Sequence, residues 1–219
     1  MHSSAQLSAN TSTLPPKYSL PTPPLALQSY ANIKRWPRDQ DIVYQDEWAE
    51  DLYCVISGAA RQCIVRPDGR RQIVDILLPG DFFGFTPSST HRFAVQAVVE
   101  DTIVASYSRR RIEEMADNDP QVAREFRQRL YMTISRLQEH LLVVGTMRAP
   151  EKVRAFLAHL SERIPDLRND GMVLPVSRYD IADQLGLSVE TVCRAMTELK
   201  TSGAIHLGGP RKVQITAQH

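Results

Sequence analysis

The chain has 219 residues, 42% hydrophobic and 23% charged, with a formal net charge of +1. That length allows two modest domains, each with a core of its own. The near-neutral balance excludes a generally polybasic protein, so any footprint for a polyanion must be local.

In chain order, residues 1–26 are rich in Ser, Thr and Pro, with Pro15, Pro16, Pro21, Pro23 and Pro24, and are expected to form a flexible arm. This N-terminus lacks the basic-then-apolar layout of a signal peptide. No apolar run approaches the roughly 20 residues of a membrane helix, so the expected location is the cytoplasm, with no membrane partner. From Asp41 to Ser108 the pattern changes to short apolar runs: Ile42–Tyr44, Leu52–Ile56, Cys63–Val65, Ile73–Leu78, Phe93–Val99 and Ile103–Tyr107. Ser57-Gly58, Pro67-Asp68-Gly69 and Pro79-Gly80-Asp81 supply tight turns between them. Closely spaced strands of this kind predict an antiparallel barrel or jelly roll.

Pro120 opens a helical pattern that runs to Val144. Leu130, Ile134, Leu137, Leu141 and Val144 alternate steps of four and three, the a/d spacing of a coiled coil. Such a stripe needs a partner, either a second copy of the helix or the chain's own strands. Gly145-Thr146-Met147-Arg148-Ala149-Pro150 is expected to interrupt the helix, as hinge or plain linker. Glu151–Arg163 then places Val153, Phe156, Leu157 and Leu160 on one helical face, and residues 164–171 read as a loop.

Residues 177–200 read as two short helices around a glycine turn. Ser177 and Asp180 have capping-box spacing, so the first helix should start at Arg178 and bury Ile181, Ala182 and Leu185. Gly186 supplies the turn and Ser188 caps the second helix, whose Val192, Ala195, Met196 and Leu199 pack inward. Glu190, Cys193, Arg194 and Thr197 fall on the opposite face. Such a helix fits the major groove, where Arg suits guanine N7 and O6 and Glu accepts from the cytosine amino group. Glu190 and Arg194 could thus read one G·C pair, or simply form an i, i+4 surface ion pair. Ala204–Leu207 and Lys212–Ile215 flank Gly208-Gly209-Pro210 as a hairpin wing, with Arg211 and Lys212 near its tip as phosphate candidates.

The Glu190-Thr191 pair with Arg194 matches the E-T-x-x-R run in the recognition helix of the CRP/FNR superfamily of bacterial transcription regulators. Arg178–Asp183 and Leu187–Val192 most resemble the FixK branch, regulators of low-oxygen metabolism, and the likeness extends from about Asp41 to Ile215. The resemblance implies an α+β chain: a sensory antiparallel β-roll (jelly-roll-like) over 27–118, a long dimerisation helix over 119–145 and a winged helix-turn-helix over 146–219. It implies a homodimer on double-stranded DNA, activating through RNA polymerase. The expected site resembles TTGAT-N4-ATCAA, with two recognition helices on half-sites about one helical turn apart. Val189, Glu190, Cys193 and Arg194 are the candidate base contacts. Ser177, Arg178, Ser188, Lys200, Arg211 and Lys212 are the candidate phosphate contacts.

The family's cyclic-nucleotide binders carry F-G-E and R-[ST]-A where this chain has Phe83-Gly84-Phe85 and Arg92-Phe93-Ala94. Phe85 cannot accept from a ribose and Phe93 lacks a phosphate donor, so no cyclic nucleotide is expected. Cys54, Cys63 and Cys193 are too few for an all-cysteine cluster, and they lack C-x-x-C spacing. No disulfide framework, zinc site or other cofactor is expected, and reduced thiols fit the cytoplasm. Cys54 and Cys63 read as buried small hydrophobes. Cys193, on the reading face, is a redox candidate whose oxidation would place charge or bulk against DNA, or a passive small residue facing thymine methyls. An alternative is an effector-gated sensor of the same superfamily, with His91 and His140 as conceivable heme ligands. No hydrolase, Walker or Rossmann pattern occurs, so an enzyme is not expected.

Overall fold

The computed structural model of the chain describes residues 30–164, 172–209 and 211–216. The expected arm over 1–26, the loop residues 165–171 and Pro210 of the wing lie outside the described residues. Eight strands open the described chain: β1 (Asn32–Trp36), β2 (Asp41–Val43), β3 (Asp51–Ser57), β4 (Ala60–Val65), β5 (Arg71–Leu77), β6 (Phe82–Phe83), β7 (Ala94–Ala97) and β8 (Thr102–Ser108). They form two antiparallel four-stranded sheets in the orders β1-β8-β3-β6 and β2-β7-β4-β5. Ile42, Val43, Val55, Leu77, Phe83, Val95 and Val104 fill the space between the sheets. The β3–β4 turn depends on Gly58, whose φ is +84° and whose absent Cβ would stand 2.7 Å from Thr102 Oγ1.

Each strand expected from the apolar runs has its counterpart. β1 and β6 do not appear in that pattern. In β1 the first four residues are exposed, so there is no alternation to read, and β6 is two residues long. Helix α1 (Arg109–Asn118) buries only Ile112, which leaves an equally thin signal.

Helix α2 runs Pro120–Thr146, with Asp119 accepting from the Gln121 N–H and Pro120 in the first turn. It continues through Gly145, where a break was expected, because a glycine in a helix costs only about 1 kcal/mol and extended backbone first appears at Met147. Val122 and Phe126 dock α2 onto the β-roll, with Phe126 edge-on to Phe82 at 5.8 Å. The expected stripe is left largely uncovered by the described residues: Leu130, Ile134, Leu137 and Leu141 are 37%, 49%, 41% and 71% exposed, and Val144 is half-buried. Packing of that stripe on the chain's own strands is therefore not what the fold shows.

After Arg148, whose N–H donates to Glu151 at 2.8 Å, come α3 (Ala149–Arg163), β9 (Met172–Val173), α4 (Arg178–Leu185), α5 (Val189–Thr201), β10 (Ile205–Leu207) and β11 (Lys212–Ile215). The wing is three-stranded, in the order β10-β11-β9. One buried cluster passes from Cys63, Ile73 and Ile76 of the β-roll, through Phe156, Leu157 and Leu160 of α3, to Ile181, Leu185, Val192 and Met196. The helical domain thus shares a core with the strands beneath it.

Candidate nucleic-acid interface

Helices α4 and α5 are fixed by local chemistry. The Ser177 hydroxyl accepts from the Asp180 N–H at 3.2 Å, and the Asp180 carboxylate accepts from the Ser177 N–H at 2.9 Å, closing the capping box. Gly186 ends α4 at φ 64°, ψ 39°, a left-handed position that costs a side-chain-bearing residue about 1–2 kcal/mol. Two residues later the Ser188 hydroxyl accepts from the Thr191 N–H at 3.1 Å and starts α5. Val192, Ala195, Met196 and Leu199 are buried, which turns the opposite side of α5 to solvent.

That outer side carries Glu190, Arg194 and Thr197, all exposed, with Cys193 half-buried beside them. Arg194 Nη2 reaches the Thr191 hydroxyl at 3.4 Å. Glu190 is held by its own backbone N–H and the Ser188 hydroxyl, with a smaller contribution from the charge of Arg194, and its carboxyl lies below the usual range. Both groups therefore face outward with local anchors and are not spent on a mutual ion pair. Of the four candidate base contacts, Val189 stands apart, because it is half-buried against the core cluster.

The phosphate candidates are spread around this face. Ser177 and Ser188 use their hydroxyls as caps. Arg178 Nη1 donates to Cys193 Sγ at 3.3 Å, which joins the start of α4 to the middle of α5. Lys200 is exposed in the last turn of α5, about 15 Å along the axis from Glu190 at 1.5 Å per residue. Lys212 is exposed on the wing, whereas Arg211 is half-buried and its carbonyl accepts from the Leu174 N–H at 2.8 Å. Tyr179, 67% exposed beside Arg178, was not singled out by sequence; an aromatic at the second position of a capped helix was the available signal.

An ionic cluster fastens α4 to the β-roll. Arg61 Nη1 and Arg71 Nη2 both lie 3.0 Å from Asp180 Oδ1, and Arg71 Nη2 lies 2.7 Å from Asp183 Oδ2. Gln72 adds a hydrogen bond to the Asp183 carbonyl. The Asp180 side chain is only 5% exposed, so one carboxylate both caps α4 and receives two guanidiniums. Burial pulls its pKa up, but the Ser177 donors and the two arginines more than offset this and hold it below the ordinary value.

In the β-roll, Cys54 and Cys63 are buried, and burial pushes the Cys54 thiol up to about 12. Phe85 and Phe93 are half-buried, and the exposed Arg92 holds its guanidinium 5.8 Å from the Phe93 ring. His91 is buried in the roll beside Tyr53, whereas His140 sits on α2 and hydrogen-bonds the backbone of Gln184, so the two do not share a site. Among the described residues no group of three His, Cys, Asp or Glu is placed to hold a metal ion.

Two families match the chain: the cyclic nucleotide-binding domain over residues 33–119 and the Crp-like helix-turn-helix domain over 151–218. The nitrogen fixation regulation protein FixK of Rhizobium meliloti is 39% identical over 176 residues, covering 80% of this chain and 79% of that one. FixK of Azorhizobium caulinodans is 38% identical over 179 residues, covering 80% and 72%. Among solved structures, FixK2 from Bradyrhizobium japonicum superimposes with a TM-score of 0.79 at 37% identity, covering 85% of this chain and 93% of that one.

Proposed function

Because the chain belongs to the CRP/FNR superfamily, in its FixK-like branch, and is a DNA-binding transcription regulator and not an enzyme, we propose that it acts as a homodimeric activator. Its target is a palindrome resembling TTGAT-N4-ATCAA, read without cyclic nucleotide or iron–sulfur cluster. The observation that carries this reading is the outer face of α5. Glu190 and Arg194 stand exposed on one side of a helix that Ser188 caps and whose other side is buried. On DNA, Arg194 donates to guanine and Glu190 accepts from its cytosine partner. Cys193 contacts the neighbouring base edge, and Val189 shapes the helix entry from its half-buried place. Ser177, Arg178, Ser188, Lys200, Arg211 and Lys212 meet phosphates, supplying affinity and register.

The uncovered stripe of α2 supports the dimer, since a second copy of the same stripe would bury Leu130, Ile134, Leu137, Leu141 and Val144 in a two-fold seam. Phe85 and Phe93 support independence from cyclic nucleotides, because they stand where ribose and phosphate ligands are needed. The buried Cys54 and Cys63 support independence from a cluster. The dimer bound at a promoter recruits RNA polymerase in the cytoplasm, in keeping with a low-oxygen regulon.

Cys193 gives the reading face a redox input. Hydrogen peroxide oxidises the thiolate to sulfenate and then sulfinate, each step transferring one oxygen to sulfur and releasing water. The product carries negative charge toward DNA, and it lies within reach of Arg178, whose N–H already contacts the sulfur. An oxidised sulfur would therefore repel phosphates and also withdraw a phosphate ligand.

The test is a fluorescence anisotropy titration of reduced protein with TTGAT-N4-ATCAA and scrambled duplexes at one fixed salt concentration. Tight, selective binding with no added ligand is expected. Equal binding to both duplexes would overturn the assignment of the site.

A further inference from the structure

A cavity of about 310 Å³ opens where β5, α2, α3 and α4 meet, away from both the reading face and the β-roll interior. Ile76, Val143, Phe156, Leu160 and Leu185 give it an apolar wall. Gln184 enters it from α4 at 7% exposure, and its Oε1 has no hydrogen-bond partner among the described residues. A buried amide oxygen without a donor is unfavourable and marks a position where a donor is wanted.

The charges around the cavity are unbalanced. Arg136 is matched by Asp75 at 2.6 Å and by Asp81 at 2.8 Å, and Arg163 also pairs with Asp81. These pairs engage both guanidiniums, and the rim carboxylates Glu139, which accepts from the Ser135 hydroxyl at 3.5 Å, and Glu162 have no ion-pair partner among the described residues. His140 and His159 add no positive charge at neutral pH, because burial holds both rings below their ordinary value.

We infer that this cavity binds a small organic cation: a compact amine whose ammonium donates to Gln184 Oε1 and faces Glu139 and Glu162, with its apolar part on the Phe156–Leu160 wall. The volume lies at the lower end of ligand sites, about 300 Å³, and suits a single-ring or short-chain amine. The ligand touches the β-roll through Ile76 and the helix-turn-helix through Gln184 and Leu185. Gln184 adjoins Asp183, which Arg71 and Gln72 hold. Occupancy therefore stabilises the docked arrangement of the two domains.

The test is isothermal titration of the full-length, reduced protein, without DNA, using benzylamine, with benzoate as the matched anion. Benzylamine should bind saturably and benzoate should not. Gln184→Leu should weaken benzylamine by about tenfold, the value of one hydrogen bond to a charged group. If that variant folds poorly, the exposed pair Glu139→Gln with Glu162→Gln gives an independent check and should weaken binding and its salt dependence together. No saturable benzylamine binding at millimolar concentration, equal binding of benzoate, or indifference to both variants would overturn the inference. Because the readout omits DNA, its failure leaves the reading of the palindrome untouched.

Discussion

Replacing Arg71 with alanine removes one of the two guanidiniums that fasten α4 to the β-roll. Its Nη2 lies 3.0 Å from Asp180 and 2.7 Å from Asp183, with 27% of the side chain exposed. Charge-assisted hydrogen bonds of this kind are worth about 1.5–3 kcal/mol when removed, and Arg61 remains on Asp180, so we place the loss near 2 kcal/mol. With a urea slope of about 1–3 kcal/mol per molar, that is a midpoint shift on the order of 1 M. Two spectroscopic probes separate the domains. The two tryptophans, Trp36 and Trp48, both lie in the β-roll, whereas far-ultraviolet dichroism also follows α3 to α5 of the helix-turn-helix domain. In the parent protein both signals should change together, since one buried cluster spans both domains. In Arg71→Ala the dichroism should change first, at lower urea than the fluorescence. Coincident curves with an unshifted midpoint would refute the claim that the arginine–aspartate cluster couples the domains.

Four further outcomes follow from the same geometry. Arg194→Ala should cost about 1–3 kcal/mol on the TTGAT duplex and relax the choice at the G·C pair, read by anisotropy on single-substituted duplexes; equal losses on scrambled DNA would contradict it. Ile134→Glu, which places a charge in the exposed stripe of α2, should shift sedimentation toward a monomer and weaken binding to the full palindrome far more than to a half-site. Cys193→Ser should keep its DNA affinity after peroxide treatment while the parent loses affinity; equal losses would remove the redox input. Asp180 is held below its ordinary value of 3.8, so its contribution is present above that pH and lost as pH falls through the lower folded value. Asp180→Asn should therefore show a shallower acid limb below about pH 4 in dichroism-monitored unfolding.

What could be read from the sequence was local. Ser177 with Asp180, Gly186, and Ser188 with Thr191 are neighbours in the chain, and each fixes a helix end by itself, so both helices of the motif were predictable. The apolar run of β3 and the stripe of α2 are also short-range patterns. Val189 shows the boundary of such reasoning, because helical spacing gives its angle on α5 but not the depth of the core beside it. Arg61 and Asp180 lie 119 residues apart, and no periodicity relates them. Asp180 could be read as a cap, but not as the anchor of two arginines. The rim of the amine cavity likewise draws on β5, α2, α3 and α4, and only the fold brings those side chains together.

The shared core has a consequence for modularity. A cut at Met147, where α2 ends, would leave Ile181 and Leu185 on one fragment and Ile73 and Ile76 on the other, each stripped of part of its cover. The excised DNA-binding half should be prone to self-association, and a chimera with the β-roll of a relative would need arginines to meet Asp180 and Asp183 as well as a matching apolar surface. The two halves are thus expected to diverge as a pair, with changes on β4 and β5 answered by changes on α4.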